Sequence, residues 1–180
     1  RPLMAQPGMR DRCVKIGSAG KMFGLTGWKV GFLCAAPKLT HTLARAHQFL
    51  TFTTAPNLQA AVAFGLTELA DWFVQMPLAL QGSRDRLAAA LRAEGFAVLP
   101  TQGTYFLNVD LPASGVIEPD RAFARRAVTE AGVAAIPLSA FYEEAPVTGI
   151  LRLCLAKADA TLDEGVRRLA RARDLSRAAL

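Results

Sequence analysis

The sequence predicts an α/β fold, and three observations carry that expectation. Short apolar runs of strand length alternate along the chain with longer stretches whose apolar residues recur at three- and four-residue spacing. Gly95 and Gly132 fall where two of those longer stretches stop, as residues suited to a left-handed helix end. The chain is 52% hydrophobic and 20% charged over 180 residues, enough to bury the core of one ordinary domain or two small ones.

In chain order, Val14–Ser18 reads as a short strand running into a glycine-flanked turn, Gly17-Ser-Ala-Gly20, and an extended apolar run follows at Trp28–Ala36. Helical spacing begins after Pro37, with Leu39, Leu43, Ala46 and Leu50 on one face. Another helix starts near Thr54–Pro56, since proline suits a first helical turn. It presents Leu58, Ala61, Val62, Gly65, Leu66 and Leu69. A further helical stretch, interrupted by Pro77, continues through Arg84–Glu94 to Gly95. Phe96–Leu99 and Thr104–Leu111 are two strands joined by a turn at Gly103; in the second, Tyr105, Leu107, Val109 and Leu111 alternate onto one face. A helix over Asp120–Ala131 stops at Gly132, and Val133–Ile136 and Gly149–Ala156 are strands. Thr161-Leu-Asp-Glu164 has the form of a capping box opening a last helix with Leu162, Val166 and Leu169 inward. The change of pattern over residues 71–95 marks a boundary: one domain over 1–75, a linking helix over 76–95 and a smaller domain over 96–180.

Composition narrows the function. No apolar run reaches the ~18 residues that span a bilayer, and residues 1–10 hold no apolar signal region, so a cytoplasmic protein with no membrane partner is expected. The net charge of +6 and pI of about 9.7 raise a nucleic-acid reading. Much of that excess lies in Arg167, Arg168, Arg171, Arg173 and Arg177, on one helical pattern with no aromatic residues interleaved to stack on bases. A solvated helix face, with no nucleic-acid partner, is the expectation. Cys13, Cys34 and Cys154 are odd in number, far apart and set in apolar strand-like runs, which reads as reduced core thiols rather than a disulfide framework or zinc site. His41 and His47 are six apart on a helical pattern and face different directions, so no metal site is expected.

The chemistry concentrates in Ile16-Gly-Ser-Ala-Gly-Lys-Met-Phe-Gly-Leu-Thr-Gly-Trp-Lys-Val-Gly31. A phosphate-cradling P-loop fails here twice: its opening glycine would be residue 15, which is Lys, and its magnesium-binding hydroxyl residue 22, which is Met. A nucleophilic lysine fits better. Such a lysine works as the neutral amine, which desolvation favours, and Lys21 sits among Ala, Gly, Met, Phe and Leu. Ser18, three residues earlier, and Lys29, eight later, can converge on one phosphate, while glycines at 20, 24, 27 and 31 let the backbone turn tightly.

Ser-x-x-Lys with a basic residue eight after the lysine, inside Thr-Gly-Trp-Lys-x-Gly, resembles the Schiff-base segment of class I aminotransferases, enzymes that use pyridoxal 5'-phosphate (PLP). The likeness is closest to the kynurenine and methionine aminotransferase branch. It continues through Thr53-Thr-Ala-Pro-Asn-Leu-Gln59, Arg84-Asp-Arg-Leu87, Gly103-Thr-Tyr-Phe106, Ile136-Pro-Leu-Ser-Ala-Phe141 and Ile150-Leu-Arg-Leu-Cys-Leu155, in the family's order. The resemblance implies Lys21 as the Schiff-base lysine, with Ser18 and Lys29 on the cofactor phosphate. Many relatives carry arginine where Lys29 stands; lysine keeps the charge but loses the bidentate fork. Arg152 would grip the substrate's α-carboxylate. Its residue type supports this separately, since an arginine inside an apolar strand has to reach water or meet an anion. Tyr105 and Phe106 pack in the small domain's sheet.

The resemblance further implies the fold type I PLP-dependent transferase fold, here the end of the large domain plus an α+β small domain. It implies transamination between an α-amino acid and a 2-oxo acid, in a homodimer. A cysteine-S-conjugate β-lyase on the same scaffold is the near alternative. The acid for the pyridine nitrogen, the stacking aromatic and the phosphate's backbone donors come, in the family, from before the lysine. Only twenty residues precede Lys21, with Asp11 as their one acid, and residue 1 is not Met. A carboxy-terminal portion is therefore expected, and a non-catalytic fragment is the alternative from another class.

Overall fold

In a computed structural model, which describes residues 2–178, the chain divides between Phe73 and Val74 into two units. The first is built on an antiparallel hairpin, β1 (Val14–Ser18) with β2 (Gly31–Ala35), in a register that sets Ser18 opposite Gly31. Between the strands lie a single turn of helix, α1 (Ala19–Met22), and a 3-10 turn at Thr26–Trp28. The extended run expected from Trp28 therefore starts late: Lys29 is left-handed, and pairing begins at Gly31. Helices α2 (Pro37–Leu50) and α3 (Pro56–Glu68) each open with proline, whose fixed φ and missing N–H suit a first turn. Ala19, Val30 and Val62 form the small buried cluster here, with Phe23 and Leu58 packed against it. No residue of α2 is buried, although its apolar residues fall on one face as expected.

The second unit begins within α4 (Trp72–Ala93). Pro77 does not interrupt this helix. It sits in the second turn, where its missing N–H forgoes one bond, to the Phe73 carbonyl. The helix ends at Gly95, φ 79°, with Phe96 N–H bonded back to Leu91 O. An antiparallel sheet follows in the order β3-β4-β6-β5, from β3 (Ala97–Val98), β4 (Phe106–Asp110), β5 (Ile136–Pro137) and β6 (Ile150–Cys154). Helices α5 (Asp120–Ala131) and α6 (Asp159–Ala178) complete the unit. Leu107, Val109 and Leu151 from the strands share one buried cluster with Leu91, Phe123 and Leu169 from the helices. Phe106, Asn108, Ile150, Arg152 and Cys154 belong to the opposite set of the period-two alternation.

Three further expectations, for a strand, a cap and the cysteines, need correction. Strand β5 is two residues long because Val133 N–H bonds back to Ala127 O to finish α5, beside left-handed Gly132, and so is not available for pairing. The capping box at Thr161 is not formed, because α6 starts at Asp159 and Glu164 pairs with Arg167 and Arg168 instead. The cysteines carry free thiols but are not core residues: Cys34 is exposed, and Cys13 and Cys154 are half-buried.

The arginine row is not simply a solvated face. Arg173 is buried, lies 4.5 Å from the Phe96 ring centroid and donates to Glu94 O. Arg168 donates to Gly132 O, and Arg177 to Ser114 O and Gly115 O. Helix positions four and five apart thus reach three separate turns. Among the described residues no helix is long and apolar enough to cross a membrane, and no group of three His, Cys, Asp or Glu could hold a metal ion.

Candidate functional site

Ser18, Lys21 and Lys29 occupy one end of the β1–β2 hairpin. Ser18 closes β1 and stands at the N-cap of α1, yet its hydroxyl makes no capping hydrogen bond. Lys21 follows within that turn. Lys29 precedes β2 in the left-handed region, φ 55° and ψ 38°, a conformation that costs a non-glycine residue about 1–2 kcal/mol. Backbone packing enforces the layout. Gly20 N–H donates to Val30 O at 3.4 Å, and a Cβ on Gly20 would lie 3.1 Å from both Leu25 O and Thr26 Cα. Trp72 Nε1 donates to Met22 O at 2.8 Å, and Phe23 packs between Gly65 and the Phe73 ring.

That anchoring overturns one expectation. Phe23 turns inward while Lys21 stays exposed, as do Ser18 and Lys29, so the chain does not itself supply a desolvated pocket for the lysine. What it supplies is a donor set: two ammonium groups and a free hydroxyl on one short loop, none of them in an ion pair among the described residues. Such a set suits an anionic ligand with an amine-reactive carbonyl.

In the second unit Arg152 lies mid-strand in β6, opposite Asn108 on β4 and Ile136 on β5. Its guanidinium carbon is 5.1 Å from the Phe106 ring centroid and 4.9 Å from that of Phe141, within cation–π range. Its Nε is buried without a partner, and no ion pair among the described residues includes it. The guanidinium thus has two aromatic rings as neighbours and no carboxylate partner among the described residues. Sequence reasoning missed Asn108 and Phe141 as neighbours of this group. Alternation along β4 was the available signal for Asn108, because it sets that residue on the side opposite Leu107 and Val109.

Two clefts, of about 620 Å³ in the second unit and 600 Å³ in the first, are lined by none of Ser18, Lys21, Lys29 or Arg152.

Comparison with known proteins bears on the chain as a whole. A family model described as aminotransferase class I and II matches residues 4–169. Methionine aminotransferase of Escherichia coli is 36% identical over 167 residues, 93% of this chain and 43% of the relative. A solved E. coli structure with that function aligns with a TM-score of 0.89, at 36% identity, over 95% of this chain and 44% of the other. Human kynurenine–oxoglutarate transaminase 1 is 36% identical over 185 residues, 90% of this chain and 44% of the relative. The α-aminoadipate aminotransferase of Thermus thermophilus, solved with N-(5'-phosphopyridoxyl)-L-leucine, aligns with a TM-score of 0.80 at 25% identity, covering 93% of this chain and 43% of the other. The chain spans less than half the length of the relatives it matches.

Proposed function

Because this chain belongs to the class I and II aminotransferases, with the fold of the carboxy-terminal part of those enzymes, we propose that it supplies the lysine side of a PLP site. The reaction is amino-group transfer between an α-amino acid and a 2-oxo acid. The observation that carries this reading is the hairpin end, where the motif-bearing Ser18, Lys21 and Lys29 share one loop with their polar atoms uncommitted. The fit is chemical: a hydroxyl and two ammonium groups match a phosphate and an aldehyde.

Ser18 Oγ and Lys29 Nζ would hold the phosphate, and Lys21 Nζ would join the aldehyde carbon. When bound, PLP supplies an electron sink for the pair left as the substrate's Cα–H bond breaks. Lys21 Nζ, as a free amine, would take that proton as general base and give it back as general acid. Arg152 orients the substrate through its α-carboxylate, its Nη donors matching the two oxygens. The reading includes a cytoplasmic homodimer in which further chain covers the exposed side of Lys21. A cysteine-S-conjugate β-lyase would use the same residues to the same point; pyruvate and ammonia release without oxo-acid dependence would mark it.

Borohydride trapping of this chain with added PLP, followed by peptide mapping, tests the assignment. The five lysines, 15, 21, 29, 38 and 157, are scored separately. Selective labelling of Lys21 is expected. Uniform or absent labelling would show that this chain forms no cofactor site by itself, as a non-catalytic fragment would behave.

A further inference from the structure

Three buried side-chain polar atoms among the described residues of the second unit lack hydrogen-bond partners, and two of them belong to residues that face each other across the sheet. Asn108 Oδ1 is an acceptor without a donor, and Arg152 Nε is a donor without an acceptor. Asn108 and Arg152 are register partners on β4 and β6. Directly opposed residues of an antiparallel pair have Cβ atoms about 4.5–5.5 Å apart on the same face, within reach of a hydrogen bond between an amide and a guanidinium. The two ends of the amide are nearly isosteric, so which of them faces the guanidinium is set by a half-turn about its last torsion.

We propose that Asn108 is the positioning residue for Arg152, its side-chain carbonyl accepting the Arg152 Nε–H. The proposal rests on the reading of Arg152 as the carboxylate-binding residue. The Phe106 and Phe141 rings near the guanidinium carbon restrict tilt, but rings do not choose which edge of the fork faces a ligand. An acceptor on Nε does. It occupies the side edge, leaves the two Nη groups as the only bidentate edge, and so dictates an end-on approach of the carboxylate. On that face of β4, Phe106, two residues before Asn108, offers no acceptor, and Asp110, two after, sits opposite Ile150 and already accepts from Ala113 N–H through Oδ1.

The test uses the full chain with ¹⁵N-labelled arginine, the Arg152 Nε–H being identified by its loss in Arg152→Lys. That proton is expected to exchange with water about 10-fold more slowly than in Asn108→Leu, as for loss of one hydrogen bond to a charged group. Asn108→Asp, which keeps an acceptor, should retain the protection. Unchanged backbone amide signals from Arg126 in α5 and buried Arg173 in α6 certify that each variant is folded. Equal exchange in the wild-type chain and Asn108→Leu overturns the proposal. Titration with pyruvate then reads the Arg152 Nη signals, with apparent affinity roughly 3- to 10-fold weaker in Asn108→Leu. Equal affinity in the two also overturns the positioning role. If protection depends on Asn108 but pyruvate shifts Arg152 in neither, the pairing stands and the carboxylate reading of Arg152 falls.

Discussion

Helices α2 and α5 carry the same kind of amphipathic pattern, and they meet opposite ends. In the second unit, Phe123, Ala127 and Ala131 of α5 are buried against α6 and the sheet. In the first, Phe49 and Leu50 of α2 stay 86% and 85% exposed, and Ile16 on the hairpin 82%. An apolar stripe states which face seeks cover; it does not state what provides it. The second unit supplies its own cover. The first leaves a large apolar surface, of the kind that marks an interaction site in a folded chain.

A pair of truncations separates the covered helix from the uncovered one. Phe123→Ala is expected to cost about 3–5 kcal/mol in urea unfolding of the second unit, as a cavity in a closed core. Phe49→Ser should change stability by within about 0.5 kcal/mol while reducing self-association by light scattering. A loss beyond about 1 kcal/mol for Phe49→Ser would mean that α2 is covered after all.

A smaller effect tests how the second unit joins its pieces. Asp120, fully buried at the start of α5, accepts from Ser139 N–H at 2.8 Å and Ser139 Oγ at 2.7 Å. Asp120→Ala leaves the Ser139 amide without its partner and should cost about 2–3 kcal/mol by chemical denaturation. A neutral result would show the turn at Leu138–Phe141 to be held by packing alone.

The smallest effect is electrostatic. The hydrogen bond from Arg168, then the charge of Arg167, hold the Glu164 carboxyl below its ordinary range against a lesser opposing effect of burial. A depressed carboxylate adds stability above its unfolded pKa and loses it as pH falls through the folded one. Glu164→Gln should therefore lower the thermal midpoint slightly at neutral pH. The gap should close as pH falls below about 4.

Local pattern made some elements legible. Asp120–Ala131 was readable because its start, its apolar spacing and its glycine stop agree, and β4 because Leu107, Val109 and Leu111 alternate. Pro77 misled because a helix tolerates proline near its start. Thr161 misled because a capping sequence can lie inside a helix that begins two residues earlier. Arg167, Arg168, Arg171 and Arg177 are exposed as a solvated face requires, but Arg173 is buried, and the carbonyl partners of Arg168, Arg173 and Arg177 lie 36 to 79 residues away, which no window along the chain contains. At the candidate site, the motif located Ser18, Lys21 and Lys29 on one loop, whereas Asn108 and Phe141 needed the sheet register and the fold around it.

Those three arginine reaches carry a consequence for biosynthesis. Gly95, Gly115 and Gly132 each turn the backbone left-handed where an earlier element stops, and the carbonyls at those turns are met by Arg173, Arg177 and Arg168. Among these elements the twenty residues of α6 are the last to leave the ribosome. Until they emerge, the strands and α5 can form but three widely spaced corners stay tied only to water. A premature stop in α6 before Arg168 would therefore not shorten a tail; it would untie all three corners of a nascent lobe at once.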